Sequence, residues 1–466
     1  MATPSNLPPT LIVGAQYDEY LRRALTHFFE RAVLESEAVP SPSSDGRLAI
    51  EPTRDPSALA VRWFGSRHVL RVPGERPFTP HEVRFARAIG AVLAARYRAI
   101  LNPRLMVDRA GLFRGAIEDR YVGAFFDEQA YALRGDDGTA DRVAEAIEIL
   151  RVAALSSYEN QPIATGVLLL EGDEDPVGAY PASERGGPHY TGELTSIKSF
   201  FRLADGLHTL FLVARDRRLL DIVDIDRWSR QVTGTAVVTT PCATRYLPHA
   251  RATLGNRHVC VVLSPSREIK VFAEGAEVFA FQQADWHLLD AQAKYVLWEE
   301  AVGNAALARR LFQIALDLSE AREGALFAVL RKPLESLGAL VAPADRLDME
   351  LVDSEPEARE GPSRRHLLHV LAGRSATELD PSVLAALATL DGATVTDRDG
   401  QLLAVGAILR FTALPAGAAP GDAYAGAVSE GARTTAALAA SRFGPVLKVS
   451  EDGMITFFDG ARVWDI

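Results

Sequence analysis

The sequence predicts an α/β chain in three parts, the last two built on one repeated unit. Two observations carry that expectation. Amphipathic helical stretches alternate with short apolar runs along the whole chain, the pattern of strands packed between helices. The order and spacing of those segments also recur. One half ends in "VVLSPSREIKVFAEGAEVF" and the other in "VLKVSEDGMITFFDGARVW", and the interval from Asp205 to Ser264 equals that from Asp391 to Ser450, 59 residues in each. The upstream halves agree less well: Gly166 to Asp205 spans 39 residues and Gly324 to Asp391 spans 67. A repeat longer than ~50 residues points to duplicated domains rather than a solenoid. The chain of 466 residues has room for them, at roughly 150 residues per domain.

Composition excludes several function classes. A net charge of −11 argues against a nucleic-acid surface, which needs clustered Lys and Arg to neutralise phosphates. Only two cysteines occur, Cys242 and Cys260, without CxxC or Cys/His spacing, which fits a reducing compartment and offers no structural zinc. The first residues lack a basic n-region, and the apolar run from Leu11 to Ala15 is too short for a signal peptide. No stretch approaches the ~18 apolar residues needed to cross a bilayer. The expectation is a cytoplasmic protein that binds neither membrane nor nucleic acid.

The first block, 1–105, opens with "YDEYLRRALTHFFERAVL", where Tyr17, Leu21, Leu25, Phe28, Phe29 and Val33 recur at helical spacing. A Pro/Ser-rich loop follows, then apolar runs at 59–64 and 68–72. In "FTPHEVRFARAIGAVLAARYRAIL", Thr79 is placed as N-cap, Pro80 at the first helical position and Glu82 three residues past the cap, a capping box. Val83, Ala86, Ile89, Leu93, Tyr97 and Ile100 then mark one helical face. Strands followed by "RPFTPHE" and a long terminal helix resemble the C-terminal half of a GAF sensor domain over about 35 residues. Residues 106–134 read as a connector with some helix, its charges and aromatics forming a solvated face that packs on a neighbour.

The second block, 135–300, runs from the helix "ADRVAEAIEILRVAALSSYE" to the strand "GVLLL", a Gly/Pro/Glu-rich loop and a helix-like "TSIKSFFRLADG". Strands at 208–213 and 219–223, the segment "HARATLG" and the pair "HVCVVLSPSREIKVF" complete it. The third block, 303–466, has the helix "NAALARRLFQIALDLSEA", the strand "GALFAVLR", a charged loop at 344–365 and the helix "DPSVLAALATL". Next comes "LDGATVTDRDGQLLAVGAIL", in which Asp399-Gly400 between apolar runs signals a hairpin. Its front end is unusual: a carboxylate and a bare backbone, Asp391-Gly392-Ala393, stand where a buried strand should begin.

The third block resembles the diadenylate cyclase (DAC) domain, the nucleotide-binding module of the cyclic-di-AMP synthases. The match covers about 324–466: "GALFAVLR", "LDGATV…LLAVGAIL", "GARTTAALAAS" and "LKVSEDGMITFFDG". The resemblance implies mixed-sheet domains flanked by helices. It also implies roles. In active members the carboxylate of Asp-Gly-Ala holds a divalent metal, Mg or Mn, and helps activate the attacking ribose hydroxyl. The basic residues of a Gly-Thr-Arg-His-Arg segment grip ATP phosphates. Asp391, Gly392 and Ala393 match the first motif, with Gly406 and Ala407 beside them. The second departs: this chain reads Gly431-Ala432-Arg433-Thr434-Thr435, keeping one arginine and replacing the His and second Arg by threonines. The middle block is more eroded, with Asp205-Gly206-Leu207 at the first motif and Arg251 loosely at the second, a pseudo-site.

Phosphoryl transfer depends on positioning and on cations set against developing charge, so a reduced clamp disfavours catalysis. Hydroxyls and the first amides of a helix still suit phosphate binding. The expected function is therefore a non-catalytic nucleotide or cyclic-dinucleotide sensor using Asp391–Ala393 and Gly431–Thr435. An active cyclase joining two ATP, and a ligand-free signalling scaffold acting through a protein partner or a second copy of itself, are the alternatives. Asp391 itself has two readings, ligand contact or capping of a strand end. His366 and His369, three apart, lack a third metal ligand. Ser264 and Ser450 lack a nucleophile-elbow context. The Gly-rich 182–192 lacks a Walker lysine.

Overall fold

A computed structural model describes residues 9–29, 32–38, 48–64, 66–72, 76–127, 139–158, 161–177, 188–197, 199–347, 368–410, 431–460 and 462–465. The architecture is mixed α/β, and the chain divides into two units. One comprises Met1–Val238 with Pro248–Asp290, the other Thr239–Leu247 with Ala291–Ile466.

The first unit begins with α1 (Pro9–Phe28) and an antiparallel sheet of β1 (Val33–Ala38), β2 (Ala49–Pro52), β3 (Ala58–Trp63) and β4 (Ser66–Arg71), ordered β1-β4-β3-β2. Val33, expected on the first helix, starts a strand instead. The capping box is present at α2 (Pro80–Leu101): Thr79 Oγ1 accepts from Glu82 N at 3.1 Å, and the Glu82 carboxylate accepts from Thr79 N at 2.9 Å. Such a cap contributes ~1 kcal/mol. The predicted face of α2 is buried from Ala86 to Tyr97, while Ile100 is exposed.

After α3 (Pro103–Asp108) and a 3-10 turn comes α4 (Ile117–Phe126). Tyr121, Val122, Ala124 and Phe125 are buried there, so the segment packs on its neighbours as expected, but these side chains are core rather than a solvated face. The ring of Phe279 lies 5.0 Å from Phe85 and 5.0 Å from Phe125, joining the first block and the second in one apolar cluster. The connector's aromatics are thus part of the seam between the two.

The unit continues through α5 (Thr139–Ala154), the short pair β5 (Ser157–Tyr158) and β6 (Gln161–Pro162), then β7 (Thr165–Leu169), β8 (Thr209–Val213), β9 (Leu219–Asp224), α6 (Ile225–Thr233) and α7 (Leu247–Ala252). It closes with β10 (Val259–Leu263), β11 (Ile269–Ala273), β12 (Ala276–Gln282) and β13 (Asp285–Leu288). The sheet order is β13-β12-β11-β10-β7-β8-β9, with only β7 and β8 parallel. The helix expected at 195–206 is two 3-10 turns, Gly192–Ser196 and Phe200–Arg202.

The second unit has α8 (Ala291–Val302), α9 (Ala305–Ala321), β14 (Ala325–Leu330), α10 (Pro333–Leu340), α11 (Pro381–Ala388), β15 (Ala393–Asp397) and β16 (Leu402–Ala407). It ends with α12 (Ala432–Ala440), β17 (Val446–Val449), β18 (Ile455–Asp459) and β19 (Arg462–Asp465). Asn304 and Asp380 cap α9 and α11. Every residue of β14 is buried, as a strand covered on both faces requires. The order β16-β15-β14-β17-β18-β19, with only β14 and β15 parallel, repeats β9-β8-β7-β10-β11-β12 strand for strand. The turn after the fourth strand repeats as well. Ser264 N donates to Glu268 O at 2.8 Å and Ser450 N to Met454 O at 2.9 Å; Arg267 N and Gly453 N close on the two serine carbonyls. Ser264 and Ser450 are thus equivalent turn residues rather than nucleophiles.

A piece of chain from between α6 and α7 also belongs to this unit. Thr244 donates its N–H and hydroxyl to the Asp317 carboxylate at 2.6 and 2.8 Å, and Gln313 Nε2 donates to Cys242 O at 2.6 Å. Among the described residues, no helix is long and apolar enough to cross a membrane.

Candidate functional site

The site expected in the second unit lies at one end of its sheet, where β14 and β15 begin. Parallel pairing sets Phe327 opposite Thr394, and three residues back the same register brings Gly324 opposite Asp391. Asp391 is exposed and makes no hydrogen bond or ion pair among the described residues. The strand-capping role open to it is therefore not taken up there. Gly392 has a different task. With φ +118, a Cβ on it would stand 2.5 Å from the carbonyl carbon of Gly406 and 2.7 Å from Ala407 O. The close approach is by the end of β16, itself bulged at Gly406 with φ +58. Ala393 and Ala407 are fully buried with Val395, Leu326 and Phe458, so their methyl groups build the core under the strand end and present no ligand surface.

Arg433 reaches this end from the first turn of α12. Its guanidinium occupies the space that a side chain on Gly324 would take, with Nη1 2.1 Å from the place of the absent Cβ. It donates to Glu451 Oε1 at 2.9 Å, with both side chains well exposed. Gly431 precedes the helix with φ +106 and no side chain to cap its first turn. The threonines are already engaged: buried Thr434 accepts from Lys448 Nζ at 3.0 Å, and the Thr435 hydroxyl donates to Gly431 O at 3.2 Å. Lys448, on β17 opposite Leu326, is a second cation that motif matching missed. Its only sequence signal is a lysine set in the apolar strand Val446–Val449. The arrangement is an exposed carboxylate beside an arginine and a threonine-bound lysine, at the uncapped start of a helix. It can receive an anionic group alongside a hydroxyl donor.

The Asp205–Gly206 end of the first unit is built differently. With Ser264 equivalent to Ser450, β10 sets Val167 in the place of Phe327. Val167 pairs with Phe211 where Phe327 pairs with Thr394. His208, not Asp205, then stands where Asp391 stands. Asp205 Oδ1 accepts from the backbone N–H of Leu207, His208 and Thr209 at 2.7–2.9 Å, and Oδ2 meets His208 Nδ1 at 2.9 Å. Partial burial works to raise this carboxyl, but the N–H donors and the imidazole outweigh it and hold it down at about 2. Gly206, with φ +76, lies against Thr165 O, and its carbonyl is bonded by buried His249 at 2.9 Å. Arg251 pairs with Asp226 at 3.3 Å.

Among the described residues no group of three or more His, Cys, Asp and Glu side chains could hold a metal ion. His366 lies outside the described residues, as do the side chain of His369 and most of the Gly-rich 182–192 and of the charged loop at 344–365. No family model matches the chain, and no curated protein matches it. Among solved structures it is similar to a hypothetical membrane spanning protein from Bacillus cereus, with 21% identity and a TM-score of 0.22, covering 34% of this chain. The chain spans 61% of that protein's length.

Proposed function

We propose that the second unit is a nucleotide-binding domain of diadenylate-cyclase type that senses a nucleotide or cyclic dinucleotide without turning it over, in the cytoplasm. The observation that carries this reading is the pairing of exposed, unbonded Asp391 with Arg433, folded over Gly324 in the neighbouring register position. Asp391 faces a ribose hydroxyl, or a Mg or Mn ion that arrives with the nucleotide. A lone carboxylate suits a divalent cation whose other ligands are phosphate oxygens and water. Arg433 takes a phosphate, exchanging Glu451 for it, and Lys448 lends charge from behind Thr434. One ligand binds per chain, because the Asp205 carboxylate in the first unit is consumed by its own turn.

Calorimetric titration of the full chain with ATP and with cyclic-di-AMP tests the reading, and binding of neither ends it. Lys448 favours a second reading, an active cyclase, since it restores a second cation to the clamp. Incubation with labelled ATP and Mn²⁺ separates the two: accumulation of cyclic-di-AMP replaces the sensor by the enzyme.

A further inference from the structure

The first unit holds a cavity of about 790 Å³ between α1, α2 and α4, far from either Asp-Gly turn in sequence and untouched by the reading above. A volume of this size falls within the ~300–1,000 Å³ of small-molecule sites. Phe28, Leu93 and Phe113 give its wall an apolar part; Gln16 and Tyr20 also line it, and Tyr17, Tyr121 and Arg96 are the polar groups on which the argument rests. Each of the three lacks a hydrogen-bond partner among the described residues, and the Nε of Arg96 is both buried and unbonded. The guanidinium lies 4.8 Å from the centre of the Phe113 ring, a stacking that leaves its edge N–H groups free to donate in the ring plane.

Buried donors are normally satisfied, and an arginine with no acid partner beside neutral phenols is a site prepared for an acceptor. Burial raises both Tyr17 and Tyr121 above the ordinary phenol value, so both remain protonated donors near neutrality. Two further basic side chains of the lining are committed elsewhere: Arg23 bonds Glu19 at 2.8 Å and His27 meets Asp285 at 2.9 Å. The one lining acid is Glu118, and it makes no ion pair with Arg96.

We propose that this cavity binds a small organic acid, a flat apolar body carrying one carboxylate or sulfonate, with Arg96 holding the acid and Phe28, Leu93 and Phe113 enclosing the body. A carboxylate matches the planar fork of an arginine in two parallel bonds. A larger polyanion is disfavoured by a wall with one arginine left unpaired among its described lining residues and an acid, Glu118, beside it.

The test uses the full chain and the fluorescent anion anilinonaphthalene sulfonate, with uncharged phenylnaphthylamine as its counterpart. Both should saturate one site. Naphthoate should displace them, and naphthamide, the same body without the charge, should do so at least about tenfold less well, a difference of ~1.4 kcal/mol. Arg96→Met, which keeps the stem, should weaken the sulfonate about tenfold or more while leaving phenylnaphthylamine within about twofold. Ala24→Trp, which fills the cavity from α1, should abolish both. Equal competition by naphthoate and naphthamide on the unaltered protein overturns the proposal without any variant. So does unchanged sulfonate affinity in Arg96→Met with native circular dichroism.

Discussion

The two sheets share strand order, strand direction and the turn after their fourth strand, yet their Asp-Gly ends have been put to opposite uses. In the first unit Asp205 spends its oxygens on three N–H groups of its own turn, and Gly206 is pinned by His249. In the second, Asp391 stands three register positions nearer the paired strand and bonds to nothing among the described residues. Equal sequence intervals therefore conceal a shift of register. A carboxylate that finishes a turn is structure; one left exposed beside an arginine is available for chemistry.

That contrast can be broken first at the backbone. Gly392→Val places a branched side chain at φ +118 against Gly406 and should destabilise the second unit by about 3 kcal/mol or more, measured by urea unfolding. An unchanged midpoint would show that β16 does not press on Gly392 as described. Arg433→Ala should weaken nucleotide binding by roughly 1.5–3 kcal/mol, the loss of a charge-assisted bond, whereas Arg251→Ala should leave calorimetric affinity alone. Two equivalent sites, or a damaging Arg251→Ala, would erase the proposed asymmetry.

Acid should separate the units next. Asp205 sits at about 2, below its unfolded value near 3.9, so its contribution is complete above pH 4 and is lost as pH falls through 4 to 2. His258 adds to this. Burial lowers its imidazole to about 4, and its Nδ1 accepts from Glu171 N at 3.0 Å, so its contribution is lost as pH falls from about 6.5 to 4. Thermal melts between pH 7 and 2 should show the first unit weakening before the second, through His258 above pH 4 and Asp205 below it. Asp205→Ala should cost about 1 kcal/mol and Asp391→Ala less than about 0.5; the reverse ranking would refute the assignment of roles. The smallest effect belongs to Gly324→Ala. It displaces only the flexible end of Arg433, so stability should hold while nucleotide affinity falls by a fewfold.

Local signals were legible in the sequence. Thr79, Pro80 and Glu82 announced a helix start because a capping box involves only residues three apart. The hairpin at Asp399-Gly400 and the repeated order of strands were legible for the same reason. What escaped depended on distant partners. The neighbour that Phe125 packs on was not legible, because nothing near it in sequence reveals Phe279. The Asp205 register escaped because pairing between β7 and β8 is decided by packing across an intervening loop, not by spacing. Of the candidate site, Asp391 and Arg433 were found by motif and Lys448 was not, since its partner Thr434 is supplied by a helix that the strand pattern cannot foresee.

The piece of chain at Thr239–Leu247, tied to α9 through Thr244 and Asp317, has a consequence for handling the protein in fragments. A clone beginning at Ala291 would contain α8 through β19 and still express an incomplete fold, with the Asp317 carboxylate stripped of the two donors Thr244 supplies. During synthesis the strap leaves the ribosome before the helix it will bind exists. The second unit can close only after α9 has been made, with its strap already emerged, and excision for study has to begin upstream of residue 239.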